Sequence, residues 1–169
     1  RDTPRESLER MEEYFGHART DLAASLKLTP KPYLSHRFLM TIALYTGSRD
    51  ERRSHYQQAI GYAPASVETR LAYMTALEPR WGGSIAQMET LVNESRAALK
   101  NAQDVDRLAA RIPAYRSFDS LQNKDYPRAL AYLDESVKLY ASADALCERA
   151  YVLSILKRNS EALNDVGLG

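Results

Sequence analysis

Apolar residues return every three or four positions along almost the whole chain, and strand-like alternation is nearly absent. That spacing gathers them on one face of an α-helix. Leu8, Met11, Phe15, Ala18, Leu22 and Leu26 form the first stripe and predict a helix over 4–28. Thr3-Pro4-Arg5-Glu6 reads as its capping box, and Pro30 and Pro32 stop it by removing amides. Leu34, Phe38, Ile42 and Tyr45 form the next face, which should be buried and should end at Gly47. Ser48-Arg49-Asp50-Glu51 opens a helix carrying Tyr56 and Ala59, and Pro64 closes it. Ser66 is placed to cap a helix in which Val67, Leu71, Met74 and Leu77 align.

Ser84-Ile85-Ala86-Gln87 is a further capping box, leading into Ile85, Met88, Val92, Ser95 and Leu99. Asp104 is expected to cap the next helix, with Val105, Leu108 and Ile112 inward and a break or kink near Ile112 caused by Pro113. A short helix over 115–122 follows, Asp125 and Ser142 cap two more, and Asn159 or Ser160 starts the last. The pattern therefore predicts an all-α chain of about nine helices joined by short loops, which makes neighbours antiparallel. No low-complexity linker divides it. The expectation is a single helical-repeat domain: an N-terminal helix over 4–28, irregular hairpins over 33–123 and regular ones over 124–169. The start at Arg1 and the end at Gly169, inside a helical pattern, suggest a piece of something longer.

Ala129-x3-Leu133 recurs 33 residues later as Ala162-x3-Val166. A period in the thirties marks stacked helical hairpins, each needing a neighbour to bury its apolar face. These two units resemble the tetratricopeptide repeat, whose second helix carries alanine four positions before an aromatic or large apolar residue. Ala150 takes the place of that family's small first-helix residue, and Tyr56 and Pro64 have its aromatic-to-proline spacing. Arg52 stands where the family has alanine, and the tryptophan and leucine-glycine of its first helix are missing. The resemblance implies a helical-hairpin solenoid whose first helices line a concave binding face. Ser66, Arg70, Tyr73, Leu77, the block Pro79-Arg80-Trp81-Gly82-Gly83-Ser84 and Met88 resemble the bacterial domain of unknown function 4034. That second resemblance implies a bacterial origin and no assigned chemistry.

Charge changes the picture by exclusion. With 23 basic and 22 acidic residues, the formal net charge of +1 gives no reason to expect a nucleic-acid partner. No apolar run approaches the roughly 18 residues of a membrane span. Lone Cys147 precludes an internal disulfide and a multi-cysteine zinc site, and its apolar neighbours suggest burial. One cysteine suits a reducing compartment such as the cytoplasm without deciding against the periplasm. His17, His36 and His55 lie 19 residues apart and have no second ligand at metal-binding spacing, so they read as ordinary boundary residues. Glu12-Glu13 and Asp134-Glu135 are adjacent in sequence and diverge on a helix, which suits solvated faces. Neither a nucleophile turn nor any cofactor or metal motif is present, so the expectation is a protein that is not an enzyme.

Two features bear on binding. In the Pro79–Ser84 block, Pro79 would end a helix, Trp81 wedge between helices, the two glycines take special backbone angles and Ser84 cap the next helix. The functional alternative puts Arg80 and Trp81 on a ligand-facing rim. The chain also holds 11 tyrosines against 3 phenylalanines. Tyr45, Tyr73, Tyr115 and Tyr151, with Arg37, Arg70, Arg111 and Arg116, fall on first helices of the predicted hairpins. A groove of that kind would suit a peptide or protein segment carrying carboxylates. The candidate binding residues are thus Arg37, Tyr45, Arg70, Tyr73, Arg80, Trp81, Arg111, Tyr115 and Tyr151. The expected function is a protein- or peptide-binding scaffold, the alternative a regulatory or structural segment of a larger bacterial effector or immunity protein.

Overall fold

The computed structural model describes residues 4–167, all of them helix, turn or loop with no strand. Ten α-helices and one 3-10 turn follow in chain order, divided between two compact units, Arg1–Ala76 and Leu77–Gly169.

The first unit holds α1 (Arg5–Leu28), α2 (Tyr33–Thr46), α3 (Arg49–Tyr62) and α4 (Val67–Ala76). Helix α1 begins after Pro4; the proposed Thr3 cap lies outside the described residues. Gly47, at φ +81, ends α2 in the left-handed conformation that glycine adopts without strain, and the Glu51 amide donates to the Ser48 hydroxyl to start α3. This two-residue loop folds α3 back on α2. Helix α1 packs along α2, while α4 packs on α2 and α3. Leu39, Met40, Ala43, Ala59 and Met74 are buried. Arg52, at the position where alanine was expected, is also buried, and its Nη1 donates to the Ala76 carbonyl at the end of α4 (3.2 Å). A guanidinium there meets one of the carbonyls that a helix end leaves unpaired. Burial lowers its pKa first, with the nearby Arg49 charge adding to the effect.

The second unit holds a 3-10 turn (Pro79–Trp81), α5 (Ile85–Ala98), α6 (Ala102–Ala109), α7 (Arg111–Gln122), α8 (Tyr126–Leu139), α9 (Ala143–Ile155) and α10 (Asn159–Asp165). Ser84, Asp125 and Ser142 cap α5, α8 and α9 as their sequence positions predict. Asn101 rather than Asp104 caps α6: its Oδ1 accepts from the Gln103 amide, which leaves Asp104 in the first turn. The break also sits earlier than Ile112. A proline at 113 has no amide for the Ala109 carbonyl and its ring crowds that carbonyl, so α6 ends at Ala109 and the chain restarts at Arg111. The Ser136 hydroxyl donates to the Ala110 carbonyl at the break (3.0 Å). Ala129, Leu130, Leu133, Val152 and Leu153 form the core of the last hairpins, with Ala162 packed against them.

Candidate functional site

Helix α2 is apolar on two faces, and the structure covers only one. Leu39, Met40 and Ala43 point into the core. Leu34, Phe38 and Tyr45, separated by four and seven residues, form a strip on the other face and are 44%, 49% and 51% exposed. Of the four residues whose spacing predicted the buried stripe, Ile42 alone is buried. Two stripes of similar apolarity compete on this helix, and tertiary packing chose the one made of Leu39, Met40 and Ala43. Helix α1 reaches the strip only at its edge, where Phe15 stacks on Tyr45 with ring centroids 5.8 Å apart. The Arg37 guanidinium lies 5.2 Å from the Phe38 ring centroid, so a cation sits beside the exposed aromatic. Chemically this strip offers apolar area with one positive group and nothing that reacts.

The other candidates in the first unit lie inside it. Arg70 is 4% exposed; its Nη1 donates to the Ser66 carbonyl (3.2 Å) and its Nε has no hydrogen-bond partner. Tyr73 is half-buried, its ring 3.9 Å from that of Tyr56 and nearly parallel to it. Sequence spacing missed a polar cluster here. His36 on α2 and His55 on α3 approach Nδ1 to Nδ1 at 3.0 Å, and Tyr62 stacks on His36. Glu51 lies 3.7 Å from His55 Nε2 and is itself bound by Arg19. Desolvation lowers the pKa of both histidines, reinforced at His36 by the His55 charge and opposed at His55 by Glu51. The Arg19 hydrogen bond holds Glu51 below the usual carboxylate range. The 19-residue separation, read as accidental, joins these two residues because the loop at 47–48 folds α3 onto α2.

In the second unit Glu78, 2% exposed, is the residue that the sequence reading lacked. Its carboxylate accepts from Arg80 Nε (2.7 Å) and from Arg111 Nη2 (3.2 Å). Arg80 also lies 4.9 Å from the Phe118 ring centroid, and Trp81 is half-buried. Gly82 takes φ +82. Gly83 does not; a Cβ there would overlap the Leu77 carbonyl, so close backbone approach rather than backbone angle requires the glycine. Each residue of the block thus has a structural task, with a buried carboxylate between two guanidiniums at its centre. Tyr115 lies 6.0 Å from Phe118 beside an open cleft. Tyr151 is exposed on α9, four residues from Cys147 and from Ile155, both also exposed. The expected burial of Cys147 is therefore corrected: Ala145, Ala150, Val152 and Leu153 take the inner face of α9.

Among the described residues no three His, Cys, Asp or Glu side chains converge as a metal site, and no helix is long and apolar enough to cross a membrane.

No family model matches the chain, and no curated protein does. Among solved structures it is similar to the crystal structure of PilW, a widely conserved type IV pilus biogenesis factor. The TM-score is 0.51 at 19% sequence identity, over 93% of this chain and 71% of that one. At that identity the likeness shows fold alone. The chain has an all-helical, tetratricopeptide-like fold, in keeping with the repeat read from residues 124–169.

Proposed function

We propose that this protein is a non-enzymatic scaffold that binds another protein or a peptide segment through exposed faces on the first helices of its hairpins, α2 foremost. The observation that carries the reading is the uncovered strip Leu34, Phe38 and Tyr45. A helix apolar on both faces is ordinarily covered on both, and a contiguous exposed apolar strip marks a contact surface. Removing a leucine or phenylalanine side chain from water is worth about 1.5–3 kcal/mol, so this strip can supply a substantial share of a binding free energy. Arg37, beside Phe38, would set register against an acidic or backbone-carbonyl group of the partner.

The ionisable groups that do come together support a binding role over catalysis, because they bond to one another. Glu78 is occupied by Arg80 and Arg111, and His36 by His55. Assembly of a larger machine, the task that its description gives the pilus factor, is one form such a scaffold takes. The bacterial origin and the kinship with domain of unknown function 4034 rest on residues 66–88 alone.

The test is site-specific photo-crosslinking in the cells that make the protein. A photoreactive phenylalanine analogue at position 34 or 38 should yield one discrete protein adduct, and the same analogue at exposed position 53 on α3 should yield none. No adduct at 34 and 38, or the same mixture at all three positions, would overturn the proposal.

A further inference from the structure

A second surface lies in the other unit and is of a different kind. Between the 3-10 turn, the start of α5 and the facing sides of α7 and α8 is an open cleft of about 330 Å³. That volume is at the lower end of what small-ligand and side-chain pockets use. Pro79 and Ile85 give it an apolar floor, and the rings of Tyr115 and Tyr132 stand on its walls. Two guanidiniums, Arg116 from α7 and Arg128 from α8, border it.

The state of those two cations decides what the cleft can hold. Arg128 is exposed, and its guanidinium has one hydrogen bond among the described residues, a long one of 3.4 Å to the Tyr132 hydroxyl. Arg116 has a single ion pair, 3.5 Å from Glu89, and both partners are largely open to water. A pair so long and exposed contributes little. Five donors on each guanidinium therefore remain mostly available, in the fork geometry that matches a carboxylate. Glu78, a few residues away, shows the contrast: there the guanidiniums of Arg80 and Arg111 are already committed to a buried carboxylate. Asp119 also borders the cleft and opposes an anion, which leaves two positive groups against one negative. Ser120 does not alter that balance, since its hydroxyl donates to the Arg116 carbonyl.

From this we infer that the cleft binds an acidic peptide segment, one glutamate or aspartate carboxylate bridging Arg116 and Arg128 while a neighbouring apolar side chain rests between Tyr115 and Tyr132. This goes beyond the reading of α2, uses none of its residues and can fail without it. The aromatic walls favour a peptide over a bare anion, because a bare anion leaves Pro79, Ile85 and both rings without a partner.

The test is a ¹H–¹⁵N NMR titration of the full chain, following backbone amides over 115–132 and the arginine Nε–H signals. The probes are an acetylated hexapeptide with two central glutamates flanked by leucines, its glutamine analogue, and inorganic phosphate. The glutamate peptide should move Arg116, Arg128 and the amides around them, and the glutamine analogue should bind at least about tenfold more weakly, as expected when a charge-assisted bidentate contact is lost. Arg116→Gln with Arg128→Gln should weaken the glutamate peptide by a similar factor while the remaining spectrum stays that of the folded protein. An Arg116→Gln, Arg128→Gln protein whose spectrum is unfolded is replaced by Arg128→Gln alone, exposed at the first turn of α8, which should weaken the peptide severalfold. Equal binding of the two peptides, undiminished binding by the folded variant, no shift with millimolar glutamate peptide, or phosphate moving the same signals as strongly as the peptide would each overturn the inference.

Discussion

Lys124 and Lys157 hold the left-handed conformation, at φ 57° and 62°, in the loops before α8 and α10. They lie 33 residues apart, the same interval that separates Ala129 from Ala162. Gly47 fills the matching place before α3, at φ 81°. The repeat thus fixes a backbone angle at each hairpin turn, and at two of the three turns a side chain bears its cost. Since both lysines are exposed, Lys124→Gly or Lys157→Gly should gain roughly 1 kcal/mol of left-handed strain relief, less what glycine returns to the unfolded chain. A urea titration should show higher midpoints, with no gain for the corresponding alanine variants. Two other glycines separate space from angle. Gly83→Ala should cost about 1–3 kcal/mol, because its Cβ would collide with the Leu77 backbone. Gly16→Ala, in open space within α1, should stabilise by about 0.5–1 kcal/mol in the same titration. The histidine pair sets a pH dependence. The folded-state pKa values of His36 and His55 lie below 6.5, so the unfolded chain binds more protons in the window beneath it. Stability should therefore fall as pH drops from about 6.5 toward the folded values, while Arg19, Glu51 and Tyr62 stay in place around the pair. Depression of the Glu51 pKa adds a separate loss at lower pH, beneath the ordinary carboxylate range. Thermal melts between pH 7 and 5 should show the decline, and His36→Gln should flatten it.

At the scale of the element, local chemistry was legible and its partners across the fold were not. Ser48, Ser66, Ser84, Asp125 and Ser142 all cap the helices expected of them, because a cap is decided by residues three positions away. The break between α6 and α7 was legible as a consequence of Pro113 but displaced, since a proline disturbs the carbonyl four residues before it. Arg149 shows what sequence could not supply. From α9 it donates through Nε to Asp165 on α10 (2.7 Å) and through Nη1 to Asp134 on α8 (3.1 Å). The Asp165 side chain is only 7% exposed, so removing the cation strands a buried carboxylate. Helix α10 is seven residues long and has no side-chain cap, which leaves it dependent on this clasp and on Ala162 against the core. Arg149→Leu should cost about 2–3 kcal/mol by loss of charged hydrogen bonds. Hydrogen exchange should locate that loss, with amides of α10 exchanging much faster and those of α7 and α8 unchanged.

For the whole molecule, periodicity and a single 33-residue echo were enough to read the fold class, because amphipathic helices joined by short loops have few ways to bury their stripes. The division at 76/77 left no mark in composition; it falls just ahead of the Pro79–Ser84 block, where a helix ends and backbone angles become special. The binding residues were the least legible part. Arg70, Tyr73 and Arg111 carry the residue types of a groove, yet Arg70 is buried, Tyr73 stacks on Tyr56, and Arg111 neutralises Glu78. Residue type does not say which of two apolar faces a neighbour will cover, and on α2 that choice separates core from contact surface. The account's central claim is that Leu34, Phe38 and Tyr45 form a contact surface. The measurement that tests it most directly is the affinity of the crosslinked partner for the wild-type protein and for Phe38→Ser, with the urea midpoint of each. The account predicts that affinity falls tenfold or more, from loss of a buried aromatic worth more than about 1.4 kcal/mol, while the midpoint stays unchanged. Equal affinities, or a stability loss of about 3 kcal/mol or more, as for a core phenylalanine, would contradict it.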